Sequence, residues 1–147
     1  MRSAVVNKDF QKLLQFVDKN KTGDFDGAPY SYKTILKDFN KKGIFYCALF
    51  DTKCLRTNYP GESMVEGSQA FEDGEISVRE FFVKYNNKIK VNIRFDEDRN
   101  VTVKYGYAYV SYNYFENKKI KLSAGCGIAL NPLDNKWYFV DYFFEPE

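Results

Sequence analysis

Histidine is absent from all 147 residues. That removes the commonest general base, the commonest metal-ligating side chain and every His-dependent triad or dyad. Cysteine is scarce, and Cys47, Cys54 and Cys126 include no C-x-x-C pair, so neither a zinc cluster nor a thioredoxin-type redox site is written into the chain. Cys47 and Cys54 are near enough for a local bridge in an oxidising compartment, which leans toward an exported protein; in a reducing one, three buried thiols are expected. No apolar run approaches the ~20 residues of a membrane span, and Met1, Arg2 and Ser3 open no apolar signal core, so a soluble chain is expected. Nor does one sign of charge dominate. The 22 basic and 20 acidic residues leave +2, too balanced to point to nucleic acid as a partner. No cofactor is implied.

Rings are what the chain has in excess. Aromatics make up 18% of the residues, with 12 Tyr and 14 Phe, so a core, a pocket or an interface must use them heavily. The length suits one domain with an ample core.

Hydrophobic periodicity divides that domain in two. Val6, Phe10, Leu13, Leu14 and Val17 recur at helical spacing and predict an amphipathic helix from about Val5 to Lys19. A loop is expected from Asn20 to Pro29. Tyr32, Ile35, Leu36 and Phe39 predict a second helix, with Gly43 as its left-handed stop. The apolar run Ile44 to Phe50 follows that stop and predicts a buried strand. Asp51 to Gly74 reads mostly as loop, placed to cover a pocket mouth. Ser77-Val78-Arg79-Glu80 is a capping box, with Ile76 and Phe81 as its hydrophobic staple, and it starts a third helix toward Tyr85.

From there the period becomes two. Ile89, Val91, Ile93 and Phe95 alternate with Lys88, Lys90, Asn92 and Arg94, which predicts a strand buried on one face and wet on the other. Asp96 to Asn100 turns the chain, and Val101 to Phe115 reads as one strand with a bulge or bend at Gly106. After a turn at Glu116 to Lys119, the residues Ile120, Leu122, Ala124, Cys126, Ile128 and Leu130 share one parity. Opposite them, Gly125 and Gly127 leave room for curvature or for close approach by a backbone or ligand. Asn131 to Asn135 turns again, and the last strand, Lys136 to Phe144, is apolar on both faces. The expected fold is therefore α+β, with amino-terminal helices packed on a strongly curved antiparallel meander spanning 88–144.

This order of elements resembles the nuclear-transport-factor-like (cystatin-like) α+β cone. The stretch Ile76 to Phe82 is placed like that family's third helix, and Lys136 to Phe144 like its closing strand. The resemblance covers about Val5 to Pro146. It implies an apolar pocket enclosed by the sheet and dimerisation through the outer sheet face. Catalytic members place carboxylates, often with His or Tyr, in that pocket. The missing histidine departs from their pattern.

Site candidates follow. Asp141 shares the parity of Trp137, Phe139 and Phe143, and a carboxylate among rings has its pKa raised toward proton-transfer chemistry. Tyr105 or Tyr109 would donate to an oxyanion. Tyr105, Tyr109, Trp137, Phe139 and Asp141 thus form a candidate pocket for a small apolar ligand, or for isomerase- or dehydratase-type catalysis. The alternative is an outward Asp141 that meets only water or a lysine. Asp18, Asn20, Thr22 and Asp24, with Gly23 sixth, match the first half of a calcium loop, but Pro29 stands where its bidentate Glu belongs, so a solvated turn is the better reading. Lys84, Lys88, Lys90, Arg94, Lys118, Lys119 and Lys121 form a basic stripe that reads as the wet side of a sheet. With no catalytic signature, the expectation is a non-catalytic binding or interaction domain, the aromatic patch of the last strand and the tyrosine-rich run before it being explained by sheet-to-sheet homodimerisation or by cover from the amino-terminal segment or the long loop.

Overall fold

A computed structural model describes residues 1–20, 23–25, 28–68, 74–95, 107–131 and 133–141, of which 23–25, 28–30, 107, 140 and 141 are described by their backbone alone. The helices come first: α1 (Arg2–Val6), α2 (Phe10–Leu14), α3 (Tyr32–Lys41), α4 (Ile44–Phe50), α5 (Thr52–Asn58) and α6 (Val78–Lys84). A small hairpin of β1 (Gly23–Phe25) and β2 (Ala28–Tyr30) interrupts them. The second half is an antiparallel sheet of β3 (Ile89–Phe95), β4 (Tyr107–Glu116), β5 (Lys119–Asn131) and β6 (Lys136–Asp141), in the order β3-β4-β5-β6. The molecule is thus α+β with the expected meander. The turn at Asp96 to Asn100, the bend at Gly106 and the tail Tyr142 to Phe144 lie outside the described residues. Among the described residues no helix is long and apolar enough to cross a membrane.

The predicted first helix is two helices. Asp9 breaks it, because its carboxylate accepts from the Lys12 amide (3.0 Å) and starts α2 anew, while Lys8 turns the chain with φ of 52°. Such a cap competes with the continuous helix that the apolar spacing suggests.

The predicted strand Ile44 to Phe50 is helix α4, and the left-handed residue before it is Lys42 (φ 52°), not Gly43. Asp38 explains both corrections. Its carbonyl accepts from the Gly43 amide at 2.9 Å, closing α3, while its carboxylate accepts from the Phe45 and Tyr46 amides at 3.3 and 2.9 Å, opening α4. Gly43 is extended (φ −74°), and a Cβ there would run into the Asp38 carboxylate, 2.7 Å from its Cγ. Phe45, Tyr46, Cys47, Ala48, Leu49 and Phe50 are all buried, so α4 has no polar face to betray its helical period.

The expected loop after Phe50 also contains structure. Asp51 caps α5 through the Cys54 amide (3.0 Å), and a disulfide joins Cys47 on α4 to Cys54 on α5. Farther on, Glu66 makes a β-bridge to Ser123, with amide-to-carbonyl distances of 2.8 and 3.3 Å, so this segment borders β5.

Half of the capping box forms as expected. Ser77 Oγ accepts from the Glu80 amide (3.2 Å), but the Ser77 amide donates to Thr52 Oγ1 (2.9 Å) on α5, not to Glu80. A tertiary hydroxyl has replaced the local partner. At the other end of α6, Arg2 reaches the Asn86 carbonyl (2.9 Å), and Arg79 in turn donates to the Val6 carbonyl (2.9 Å), so α1 and α6 clasp each other's carboxy-terminal ends.

Helix α6 lies on the sheet. The Phe82 ring meets Tyr112 at 4.9 Å and Tyr85 meets Tyr114 at 4.5 Å, placing the core between α6, α4 and the β4–β5 face that carries Val110, Leu122, Ala124 and Cys126. The β5 parity breaks at its start. An irregularity between Tyr114 and Phe115 pairs Phe115 with Ile120 and Tyr114 with Leu122, so Ile120 is 51% exposed whereas Leu122 is buried.

Candidate functional site

Strand β3 pairs with β4 alone among the described residues, leaving its other side as a sheet edge. Its register sets Val91, Ile93 and Phe95 opposite Tyr112, Val110 and Ala108. The β4 partners are buried, yet Val91, Ile93 and Phe95 are 52%, 54% and 63% exposed. This corrects the expectation that the strand buries its apolar face. The reason lies in the connection: α6 passes through a short 3₁₀ turn, Asn86–Lys88, straight into β3. The helix therefore covers β4, and on β3 only Ile89 packs against the core. The apolar row overhangs.

The alternate row of β3 is Lys90, Asn92 and Arg94, with Lys88 just before it at the end of the 3₁₀ turn. Lys88, Lys90 and Arg94 are exposed, and Lys90 Nζ lies 5.5 Å from the centre of the Phe115 ring. Behind this row, β4 carries small polar groups that are buried and satisfied: Asn113 Nδ2 donates to Ser111 Oγ (3.0 Å), and Ser123 Oγ donates to Asn113 Oδ1 (2.7 Å).

The candidate pocket residues are divided between faces. Phe139 is buried; its ring meets that of Phe16 at a tilt with centres 5.6 Å apart, and its amide donates to the Phe16 carbonyl (2.8 Å). Trp137, opposite Leu130, is half-buried. Tyr109 lies on the other side of the sheet from buried Val110, and its ring fills the space over Gly125, where a Cβ would clash with it. The room left by that glycine is therefore taken by an aromatic ring. The backbone of Asp141 pairs with Gly127, whereas Phe139 pairs with Ile128. This irregularity puts Asp141 in the register row of Gly127 and Tyr109, not in that of Phe139. The Asp141 side chain and Tyr105 lie outside the described residues.

In the calcium-like segment, Asp18 Oδ1 accepts from the Asn20 amide (2.9 Å) in a local turn, and Asp24 is in β1, paired with Pro29. Thr22 lies outside the described residues. Among the described residues no group of three or more His, Cys, Asp or Glu is placed to hold a metal ion.

A cleft of about 550 Å³ opens between the helices, lined by Lys8, Lys53, Arg79, Lys84, Asp51 and Glu80 among others. Two of its charged groups hold the fold: Asp51 caps α5, and Arg79 holds the end of α1. The strongly shifted tyrosine and thiol of the core are structural as well. Burial pushes both Tyr112 and Cys126 up to about 12, which keeps them neutral in a packed interior.

Comparison with protein-family models, with curated proteins and with solved structures found no significant match to this chain.

Proposed function

We propose that this chain is a non-catalytic interaction domain, built on the nuclear-transport-factor-like cone, whose working surface is the free edge of the sheet at β3. The observation that carries the reading is the row Val91, Ile93 and Phe95, more than half exposed on a strand with an unpaired side among the described residues. Natural proteins blunt or cover such edges unless they use them. The face of β4 and β5 toward the helices is filled by Phe82, Tyr85, Tyr112 and Tyr114, so the reading rests on the edge and not on an interior cavity. The Cys47–Cys54 disulfide supports work in an oxidising, exported setting.

Magnitudes indicate the mode of binding. Full burial of an aliphatic or aromatic side chain is worth about 1.5–3 kcal/mol, so three that are 52%, 54% and 63% exposed leave roughly 2.5–5 kcal/mol to be gained. Association costs at least about 4 kcal/mol. Apolar contact alone at best matches the lowest value of that cost, so stable binding needs main-chain pairing along β3 as well, which is strand addition.

The test is Ile93→Lys. Wild type is expected to bind an apolar dye or to self-associate in light scattering, and the variant to do neither while its melting temperature shifts by less than about 2 °C. A variant that unfolds, or a wild type silent in both assays, overturns the reading.

A further inference from the structure

Resting on that reading, we infer that the strand accepted by β3 belongs to a different chain and alternates acidic with apolar side chains. The argument is charge complementarity along the edge. Every second residue of β3 from Ile89 to Phe95 is apolar, and the intervening row presents Lys90 and Arg94, both exposed and neither in an ion pair among the described residues. An added strand sets its own side chains directly opposite these, at about 4.5–5.5 Å between Cβ atoms, where opposite charges attract and like charges repel.

A second copy is poorly suited. Antiparallel pairing that overlaps β3 with itself along its whole length is centred on Asn92. It brings Val91 of one copy opposite Ile93 of the other, which is favourable. It also brings Lys90 opposite Arg94 twice over, four cations on one face without an intervening acid. Cations on an edge strand are a known guard against self-pairing. The same geometry welcomes carboxylates at both positions, with apolar side chains between them to cover Val91, Ile93 and Phe95. The partner is therefore an extended acidic and aliphatic segment, recognised by backbone pairing for affinity and by charge for choice.

The experiment uses the full chain and three synthetic peptides as long as β3: alternating glutamate and valine, alternating lysine and valine, and alternating glutamate and serine. Binding is followed by fluorescence anisotropy at low and high salt. The glutamate–valine peptide is expected to bind best, on the order of tenfold better than the lysine–valine peptide, with the margin shrinking as salt is added. Charge reversal in the double variant Lys90→Glu/Arg94→Glu should exchange the preference. These residues are exposed, so folding is retained, and circular dichroism verifies that. Equal binding of both valine peptides, lost in Ile93→Lys, would overturn the acidic partner and leave the docking edge standing. Self-association removed by Ile93→Lys, with no peptide bound, would make the occupant a second copy and overturn the inference. Binding of no peptide would overturn the inference, and a wild type that in addition neither self-associates nor binds the apolar dye would overturn the edge reading with it.

Discussion

Replacing Gly43 by alanine should destabilise the protein in one background and not in another. In the wild type the new methyl group enters the space of the Asp38 carboxylate, which lies against Gly43 and accepts from the Phe45 and Tyr46 amides. To admit it, the carboxylate must leave. The change is then equivalent to losing a helix cap, usually 0.5–2 kcal/mol, and the upper end applies because α4 is buried from Phe45 to Phe50 and the freed amides find little water. We expect about 2 kcal/mol, a fall in melting temperature of roughly 4–8 °C for a chain of this size. Asp38→Ala should cost about the same. In the double variant the methyl group meets no carboxylate, and the φ of −74° at position 43 suits alanine. There Gly43→Ala should be neutral or stabilise by about 0.5 kcal/mol, through the lowered entropy of the unfolded chain. Urea denaturation of the four proteins gives a coupling energy near 2 kcal/mol. Equal costs of Gly43→Ala in both backgrounds would refute this account of the corner.

Two further outcomes are expected. Burial raises the Asp38 carboxyl above its ordinary value, against the smaller opposing effect of the Tyr46, Phe45 and Ile44 amides. A raised folded-state pKa contributes stability below the unfolded value near 3.9 and loses it as pH rises through the folded one. The melting temperature of wild type minus that of Asp38→Asn should therefore fall as pH is raised from about 4 and then level off, and a rise would contradict the burial. Cys54→Ser opens a loop between residues 7 apart in sequence, and chain entropy puts the loss at about 2–2.5 kcal/mol. Intact mass with and without reductant shows whether the bond is present in the purified protein, and an unchanged urea midpoint in the variant would count against its structural role.

What could be read in advance follows physical lines. The meander was legible because alternation is a local property, and Asn117 and Lys118, with φ of 50° and 64°, make the tight turn expected between β4 and β5. Helix α4 was not legible, since a helix buried all round carries the same continuous apolar run as a buried strand. The signal that distinguishes it, Asp38, belongs to the preceding helix. For β3, period two established that one face is apolar, but whether anything covers that face depends on where α6 ends. The Asp141 grouping rests on a related assumption. Parity counting assumes an unbroken strand, and the register shift beside Gly127 has no mark in the sequence.

The buried chain from Ser111 through Asn113 to Ser123 has a consequence for assembly. A slip of β4 against β5 by two residues would keep every apolar side chain on its proper face, so hydrophobic patterning alone cannot forbid it. Asn113 can. Shifted by those two residues, its Oδ1 would lose the Ser123 hydroxyl and stand unsatisfied where water does not reach. The polar thread works as a vernier, selecting one alignment from a ladder of otherwise equivalent ones.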